Sequence, residues 1–308
     1  MLDPKDIIEN IADNVRTTRN PFGLNKNGFN TWWKAVEIPK KGDALLFTGL
    51  MYQLVPYIKA ATGYLEKYED KPVAKYLKYG KFVPKMIANM GLQKIASADE
   101  KQKTATTLAN MVKILKASDV SFGYDHNLDE YSGVLLYDLG DQEGFESHAH
   151  FVAEKLQAAG IKRLITVDPH TTYALKVLYP QITGISFEVQ TWFEVANLAG
   201  KAKQAEITLH DPCFYGRYLE VSDAPRAVLS KAGVSCAEIN NNGNFTNCCG
   251  GPAESVSPKL ADEVGLRRVA ELQATGKPIV ALCPICMVNL EKCGAEVVDL
   301  SSILVDAV

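Results

Sequence analysis

Short apolar segments that run directly into a turn or a helix signal recur along this chain, and they constrain its fold more than any other feature. The segment Ile279–Leu282 leads into Cys283-Pro-Ile-Cys286, and Leu164–Val167 leads into Asp168-Pro-His-Thr171. Short strands that alternate with helices are typical of mostly parallel sheets, in which the loops after the strands carry the chemistry. The sequence therefore predicts an α/β fold with short, mostly parallel sheets.

Apolar runs and helical periodicity predict seven strands and five helices. The predicted strands are Ala44–Thr48, Leu164–Val167, Ile185–Val189, Glu206–His210, Ser235–Ile239, Pro278–Leu282 and Glu296–Asp299. The predicted helices are Gly144–Ala159, His170–Leu178, Ala224–Ala232, Pro258–Ala274 and Pro284–Cys293. This alternation favours parallel pairing of the strands, with helices as the crossover connections.

The chain looks like two pseudo-symmetric copies of one βα unit. Besides the two strand ends described above, Glu130-Tyr-Ser-Gly133 matches Asn247-Cys-Cys-Gly250, and helices of similar length follow both segments. We therefore divide the chain into an N-terminal arm at 1–40, a first copy at 41–200 and a second copy at 201–308.

A basic segment at about 59–118 interrupts the first copy and is predicted to be a helical insertion. Residues 59–119 hold 12 lysines against 6 acidic side chains, and Tyr and Met recur through them. Two interpretations stay open. The segment docks on a partner or on an anionic membrane surface, or it is a helical cap with solvated lysines and a buried aromatic stripe.

The composition excludes several classes of protein. With 308 residues, 47% hydrophobic and 22% charged, the chain is typical of a globular protein and not of a disordered one. A net charge of −3 argues against nucleic acid as a partner. No apolar run suits a membrane-spanning helix, and Met1–Asn20 lacks the apolar core of a signal peptide. We expect a cytoplasmic protein, either free or in a membrane-associated complex.

All seven cysteines lie in the last third of the chain, and five of them form groups that follow predicted strands. These five are Cys213, Cys248, Cys249, Cys283 and Cys286, and the other two are Cys236 and Cys293. An odd number of cysteines without an export signal argues against a disulfide framework. Because the carboxyl ends of parallel strands converge, the five thiols are expected to meet in one small volume.

Four interpretations of these cysteines compete. The pair Cys283 and Cys286 alone is typical of a thioredoxin-like redox motif, which leaves three thiols unexplained. A structural zinc ion takes four ligands, whereas five thiols are present and two are adjacent. Buried structural cysteines are the third interpretation. An iron–sulfur cluster fits the number and spacing best, because thiolates are its natural soft ligands. Cys236 and Cys293 are expected to be core residues.

The pattern of the second copy resembles the CCG domain, a cysteine-rich domain found in the iron–sulfur subunits of heterodisulfide reductases. The residues that carry the resemblance are His210-Asp-Pro-Cys213, Cys248-Cys-Gly-Gly251 and Cys283-Pro-Ile-Cys286. Relatives of this domain occur in iron–sulfur subunits of glycolate and lactate oxidases and of anaerobic glycerol-3-phosphate dehydrogenase. The likeness extends over roughly residues 41–308.

The first copy is similar to the same domain but lacks all of its cysteines. Leu50 stands at the position of the first cysteine, and Tyr131-Ser132-Gly133 stands where Cys-Cys-Gly is expected. Asp168-Pro-His-Thr171 stands where Cys-Pro-x-Cys is expected. The resemblance therefore implies one metal-binding copy and one degenerate copy.

The resemblance implies one [4Fe-4S] cluster of the non-cubane type as the cofactor. Its ligands would be Cys213, Cys248, Cys249, Cys283 and Cys286. It also implies an oxidoreductase subunit that is active only within a complex, with a disulfide or thiol as small-molecule substrate. The sequence has no ferredoxin-type cysteine run and no Gly-x-Gly-x-x-Gly after the first strand. We therefore expect a ferredoxin-type iron–sulfur subunit or a flavin subunit as electron partner.

Three residues outside the five cysteines are candidates for a role at the site. His170 and Tyr131 are candidate catalytic proton donors, expected to lie with Asp168 and Ser132 across the pseudo-twofold axis from the cluster. The alternative is a degenerate site filled by its own hydrogen bonds. His210 either donates a hydrogen bond to a sulfur or has a structural role.

Two functional hypotheses follow. The leading one is the iron–sulfur redox subunit of a heterodisulfide-reductase-like complex, which takes part in disulfide and thiol chemistry or in electron transfer alone. The alternative is a scaffold or assembly subunit with a structural metal site, holding zinc or a redox-silent cluster. The lost cysteines of the first copy favour this alternative, because a domain can lose its chemistry and keep its shape.

Overall fold

Two four-stranded parallel sheets form the frame of the protein in a computed structural model that describes residues 4–68, 91, 94–255 and 257–308. The first sheet consists of β1 (Ala44–Phe47), β2 (Phe122–Gly123), β3 (Arg163–Thr166) and β4 (Glu188–Thr191). The second consists of β5 (Glu206–His210), β6 (Ser235–Cys236), β7 (Ile279–Ala281) and β8 (Val297–Asp299). All pairs are parallel, which confirms the predicted α/β class.

The two sheets repeat one another in strand order and in register. Their orders are β2-β1-β3-β4 and β6-β5-β7-β8, so the first strand of each copy lies between the second and the third. Phe47 is paired with Thr166 in the first sheet, and His210 is paired with Ala281 in the second. The matched register means that residues at equal distances beyond these strand ends occupy equivalent positions.

Helices surround both sheets. Their bounds are α1 (Pro4–Thr18), α2 (Lys26–Phe29), α3 (Met51–Tyr68), α4 (Ala98–Ala117), α5 (Val134–Asp138), α6 (Gln142–Ala158), α7 (Pro169–Tyr173), α8 (Tyr179–Thr183), α9 (Trp192–Val195), α10 (Asp223–Lys231), α11 (Pro258–Gln273), α12 (Pro284–Lys292) and α13 (Leu300–Leu304). A π-helical turn at Ala174–Leu178 joins α7 to α8, and a second one at Phe214–Tyr218 follows β5.

Side-chain caps fix where several helices begin. The side chains of Ser97, Asp141 and Ser257 accept hydrogen bonds from backbone N–H groups in the first turns of α4, α6 and α11. Such caps satisfy N–H groups that have no partner inside the helix. Pro258 adds a backbone angle that suits the first helical position.

Several predicted bounds differ from the structure. The short edge strand β2 was not predicted, because two residues ending in glycine carry no strand pattern. The segment predicted at Ile185–Val189 pairs only from Glu188 onward, because its register is set by β3, whose first residue, Arg163, is paired with Glu188. Within residues 1–40, α1 is a regular helix that was not predicted. The insertion contains the last part of α3 and all of α4. Its residues 69–90 and 92–93 lie outside the described residues.

The largest hydrophobic core joins the two copies. It contains Leu46 and Ile165 from the first sheet together with Leu209 and Val280 from the second. Burial of such apolar surface is the main force that holds the copies together. A buried hydrogen bond of 2.6 Å from Tyr52 Oη to Asp299 Oδ2 links them as well. Among the described residues, we find no helix long and apolar enough to cross a bilayer.

Candidate metal centre

Five cysteine side chains meet beyond the carboxyl ends of β5 and β7. Their thiols form a continuous series of side-chain contacts, in the order Cys213, Cys248, Cys249, Cys286 and Cys283. Four of them are buried and Cys248 is half-buried. The structure thus brings together all five thiols that the sequence singles out, and it leaves them unlinked by disulfides.

The thiols shift one another's pKa values, lowering those of Cys248 and Cys283 and raising those of the other three. Hydrogen bonds from Cys213 and Cys249 lower the pKa of Cys248, whereas burial and contact with that thiolate raise the pKa of both neighbours. The pKa of Cys283 is lowered, against the effect of burial, by Cys286 and His170. Because neighbouring negative charges repel one another, five thiolates in contact would require a strongly positive centre among them. A metal cluster supplies such a centre, so the donor set fits one.

The backbone around Cys248 and Cys249 suits a site crowded with sulfur. Gly250 N–H donates to Cys248 Sγ over 3.3 Å. Gly250 has a φ of +92°, and a Cβ there would lie 2.4 Å from Ala261 O. A Cβ on Gly251 would lie 2.6 Å from Ile285 Cγ2 and 3.5 Å from Cys249 Sγ. The two glycines therefore allow the Cys-Cys turn to pack against α12 and to present its sulfurs together.

Asp211 holds the loops that carry Cys213 and the Cys-Cys turn. Its two carboxylate oxygens each accept a 2.8 Å hydrogen bond from Arg226, and one of them also accepts from Gly243 N–H. The Asp211 carbonyl accepts a bond from Thr246 Oγ1. Since Arg226 also binds Glu238, its charge is already balanced by protein carboxylates. Arg226 is therefore a structural residue that helps Asp211 to hold the loops carrying these cysteines.

Helix α12 begins directly at the centre. Cys283 is the N-cap residue of α12, and the backbone N–H of Cys286 in the first turn helps to lower the pKa of its thiol. In the first copy, Asp168 is the N-cap of α7 and accepts a bond from Thr171 N–H. The same backbone position thus carries a helix cap in one copy and a sulfur directed to the centre in the other.

The positions equivalent to the cysteines are buried and filled in the first copy. Leu50, Ser132 and Thr171 are each 1% exposed or less. A Cβ on Gly49 would lie 1.9 Å from Thr171 Oγ1, which shows how tightly this region is packed. The Tyr131 hydroxyl already accepts a 2.9 Å bond from Leu135 N–H. The region is closely packed, but Ser132 Oγ, Asp168 Oδ2 and Thr171 Oγ1 have no hydrogen-bond partner among the described residues.

His170 differs from its neighbours because it belongs to the first copy but touches the centre of the second. Its Nδ1 lies 3.9 Å from Cys283 Sγ and 3.8 Å from Asp168 Oδ1. Burial lowers its pKa, but Cys283, Asp138 and Asp168 together raise it to about 9. The ring also packs against Phe214, with centroids 4.7 Å apart. His170 therefore forms part of the wall of the cysteine site.

A cavity of about 320 Å³ leads from the N-terminal helix to this wall. Its inner end is formed by His170, Gly251 and Ile285, which adjoin the cysteines, and Tyr131 also lines it. Most of the remaining lining is apolar and comes from α1, α3 and α5. Its acidic side chains are Asp6, Asp138 and Glu254, its basic side chain is His170, and none of the described lining residues is Lys or Arg.

Arg268 is a buried residue of the site that the sequence interpretation missed. It is 1% exposed, and its Nε donates a 3.0 Å bond to Nδ1 of His210. Burial and Arg268 lower the pKa of His210 to about 3, so the imidazole is neutral. The buried face of α11 is formed by Ala261, Gly265, Arg268 and Leu272. The sequence signal for this burial was an arginine at a position on the apolar face of the predicted helix.

The two remaining cysteines lie apart from the series of contacts. Cys236 is half-buried in β6 and pairs with Ile207. Cys293 is the C-cap residue of α12, and its Sγ donates to Asp262 O over 3.8 Å. Both therefore serve as matched controls for the five thiols of the centre.

Comparisons of the sequence with known proteins agree with a cysteine-rich site in the second copy. The model of the CCG family, a cysteine-rich domain, matches residues 207–291. A probable membrane-anchored ferredoxin of Chromohalobacter salexigens is 31% identical over 205 residues, which are 60% of this chain and 30% of that protein. The EtfAB:quinone oxidoreductase of Syntrophomonas wolfei is 32% identical over 195 residues, 58% of this chain and 27% of that protein.

One component of the dihydromethanophenazine:CoB–CoM heterodisulfide reductase of Methanosarcina barkeri is 36% identical over 152 residues, 44% of this chain and 37% of that component. The chain thus spans about a third of the length of the curated relatives it matches. The match at residues 207–291 confirms the resemblance: the second copy is a CCG-type cysteine-rich domain.

Proposed function

We propose that this chain is the iron–sulfur redox subunit of a larger oxidoreductase complex. Cys213, Cys248, Cys249, Cys283 and Cys286 are proposed to hold one [4Fe-4S] cluster of the non-cubane type. The observation that carries the proposal is the unbroken series of contacts among these five thiols. Its relatives include an iron–sulfur-binding oxidoreductase by name and a component of a heterodisulfide reductase.

The bound cluster would supply one-electron transfer and iron sites with affinity for sulfur. The protein's own residues provide its surroundings. Gly250 N–H donates to sulfur, Cys283 begins a nine-residue helix whose N-terminus favours negative charge, and His170 closes one side. These groups stabilise the negative charge of the sulfur ligands and exclude water from most of them.

We propose a disulfide or thiol as the substrate that reaches this centre through the cavity. The lining carries three carboxylates, and its one cationic group among the described residues, His170, already lies against Asp168 and Cys283. An anionic disulfide would be repelled there, because charges in such poorly solvated surroundings interact strongly. The cavity therefore favours an uncharged, apolar disulfide or thiol, with His170 and Tyr131 beside its sulfur. These two residues remain the proposed catalytic pair.

The partners of the chain are proposed from what its sequence lacks. Electrons would enter or leave through a ferredoxin-type iron–sulfur subunit or a flavin subunit, since neither kind of site is evident in this sequence. A relative named as a membrane-anchored ferredoxin supports a membrane-associated complex. In this proposal, residues 201–308 carry the cluster and residues 41–200 provide its wall, while the cavity is lined by both copies together with residues 1–40.

The test is anaerobic purification followed by iron and sulfide analysis and by EPR of the oxidised protein. We expect about four irons and four sulfides per chain. Diethyl disulfide or ethanethiol should alter the EPR signal, and dithiodiglycolate, an anionic disulfide, should leave it unchanged at the same concentration. About one zinc per chain would overturn the redox role in favour of a structural one. A cluster signal indifferent to every sulfur compound would reduce the role to electron transfer.

A further inference from the structure

Arg268 is an unusual residue because a full guanidinium is enclosed in the domain beside a neutral histidine. Its side chain has no exposed surface. A buried charge is costly unless it is paired and its hydrogen bonds are satisfied. The structure satisfies it: Nη1 donates to Asn241 O and to Glu271 Oε2, both over 2.8 Å, and Nη2 donates to Thr246 Oγ1 over 3.1 Å.

The remaining bond of this guanidinium determines the tautomer of His210. Arginine has donors only, so the 3.0 Å contact from its Nε to His210 Nδ1 requires Nδ1 to accept. A neutral imidazole that accepts at Nδ1 carries its proton at Nε2. Arg268 thus holds His210 in the tautomer that carries its proton on Nε2.

That other nitrogen is buried and has no hydrogen-bond partner among the described residues. A ring nitrogen of His210 and the sulfurs of Cys249 and Cys286 all lie within 4.8 Å of one another. A buried N–H without a partner destabilises the folded protein, so we expect a bound group to accept this hydrogen bond. The sulfur-rich centre is the acceptor at hand.

We infer that His210, held in its Nε2–H tautomer by Arg268, donates a hydrogen bond to the sulfur of the metal centre and is not a metal ligand. A metal ligand would need a free lone pair on Nε2, but the lone pair on Nδ1 already accepts the hydrogen bond from Arg268. Only an imidazolate has lone pairs on both nitrogens. His210 and Arg268 are therefore positioning residues. The inference rests on the proposed cluster for its acceptor, but the tautomer itself does not depend on the cluster.

A donated N–H raises the reduction potential of an iron–sulfur centre, because the reduced state carries more negative charge on sulfur. Loss of this bond should therefore make the centre harder to reduce without removing iron. A direct ligand would behave differently, since its loss should lower the iron content. These two outcomes separate the two roles of His210.

The first measurement uses the intact chain with 15N-labelled histidine, in the metal state in which it is purified and again after chelation. Long-range 1H–15N NMR is expected to show one histidine with protonated Nε2 and unprotonated Nδ1, absent from the spectrum of His210→Gln. The opposite tautomer at His210 would overturn the inference. Because chelated protein reports the tautomer as well, this result is independent of whether the cluster exists.

The second measurement compares four variants of the holoprotein by iron analysis, redox titration and pulsed EPR. His210→Leu and Arg268→Met should keep their iron and shift the potential to more negative values. His210→Gln, whose amide can donate, should restore most of the potential. Arg267→Met is the matched control, because its side chain is exposed one residue away on the same helix, and it should change nothing.

The outcomes of the second measurement separate the inference from the proposed function. A weakly coupled 15N and an exchangeable proton from His210 would support the hydrogen bond. Iron loss in His210→Leu with strong 15N coupling in the wild type would show a ligand and overturn the inference. An unchanged potential in His210→Leu would also overturn it. Absence of iron from the wild type would instead contradict the proposed function.

Discussion

The two copies share one frame and differ in what lies at the ends of its strands. In both sheets the first strand lies between the second and the third, and the register of the central pair is the same. Beyond those strands the first copy has Leu50 and the second has Cys213. The helix after the third strand begins at Asp168 in one copy and at Cys283 in the other. The same strand order and register therefore accommodate two different sets of side chains at the strand ends.

The difference shows two ways to stabilise the same buried region. In the first copy, polar groups bond to one another: Asp168 caps α7, Tyr179 Oη donates to Ser132 O, and His148 Nε2 contacts Tyr131 O at 2.7 Å. Ser132 Oγ, Asp168 Oδ2 and Thr171 Oγ1 nevertheless have no partner among the described residues. In the second copy, the thiols contact mainly each other, as a donor set for a metal cluster would.

The largest effect is expected from removing a central thiol of the second copy. Cys249→Ser should reduce the iron content from about four per chain to less than one, because Cys249 lies between Cys248 and Cys286 in the series of contacts. Iron and sulfide analysis after anaerobic purification measures this. Cys293→Ser is the control and should retain its iron. Full iron in Cys249→Ser would contradict the five-cysteine centre.

Matched glycine substitutions should separate the two copies. Gly49→Ala introduces a methyl group at a φ of +59°, 1.9 Å from Thr171 Oγ1. It should lower the free energy of unfolding by about 2 kcal/mol or more. Gly251→Ala crowds Ile285 and Cys249 and should lower iron occupancy. Urea unfolding and iron analysis of both variants make the comparison.

The control for both is Gly63→Ala, since a methyl group there meets no atom within 4 Å. It lies in α3 and should be neutral or slightly stabilising, because alanine favours helices. If Gly49→Ala reduced iron as strongly as Gly251→Ala, the two copies would not be separable in this way, and the distinction drawn above would be wrong.

A smaller effect is expected from pH, through His148 in the first copy. Burial lowers its pKa to about 4 from 6.5, so it is neutral in the folded protein. A depressed histidine pKa means that its contribution to stability is present above pH 6.5 and is lost as the pH falls toward 4. Between pH 7 and pH 5 this loss amounts to about 2 kcal/mol.

Urea unfolding of the wild type and of His148→Gln at pH 7 and pH 5 measures this contribution. The wild type should lose about 2 kcal/mol more than the variant between the two pH values. The difference between the two proteins isolates His148 from other groups that titrate in this range. An equal loss in both would mean that His148 is protonated in the folded state.

The sequence predicts the frame well where local patterns act and less well where pairing decides. Strand β5 (Glu206–His210) lies where it was predicted, because a run of five residues rich in β-branched and apolar side chains needs no distant partner to be recognised. Strand β2 (Phe122–Gly123) was missed, because its two residues form a strand only by pairing with Ala44 and Leu45. Strand β4 starts later than predicted for the same reason, since its register is set by β3.

The same distinction holds for the candidate site. The cysteines could be predicted from their spacing, because each group follows a strand and parallel strands end together. Arg268 could not, since a charged residue in a helix is usually exposed and its burial depends on His210 and Glu271 in space. The cavity also escaped sequence analysis, because its lining combines residues from α1, α3 and α5 with those beside the thiols.

The contact between His170 and Cys283 bears on the order in which the centre is made. A chain emerges from the ribosome with its N-terminal part first, and domains fold as units. The wall that His170 provides is therefore synthesised before the first of the five thiols. Cys286 is the last of them to be synthesised. The order of synthesis thus places the residues of this wall before the thiols that they contact.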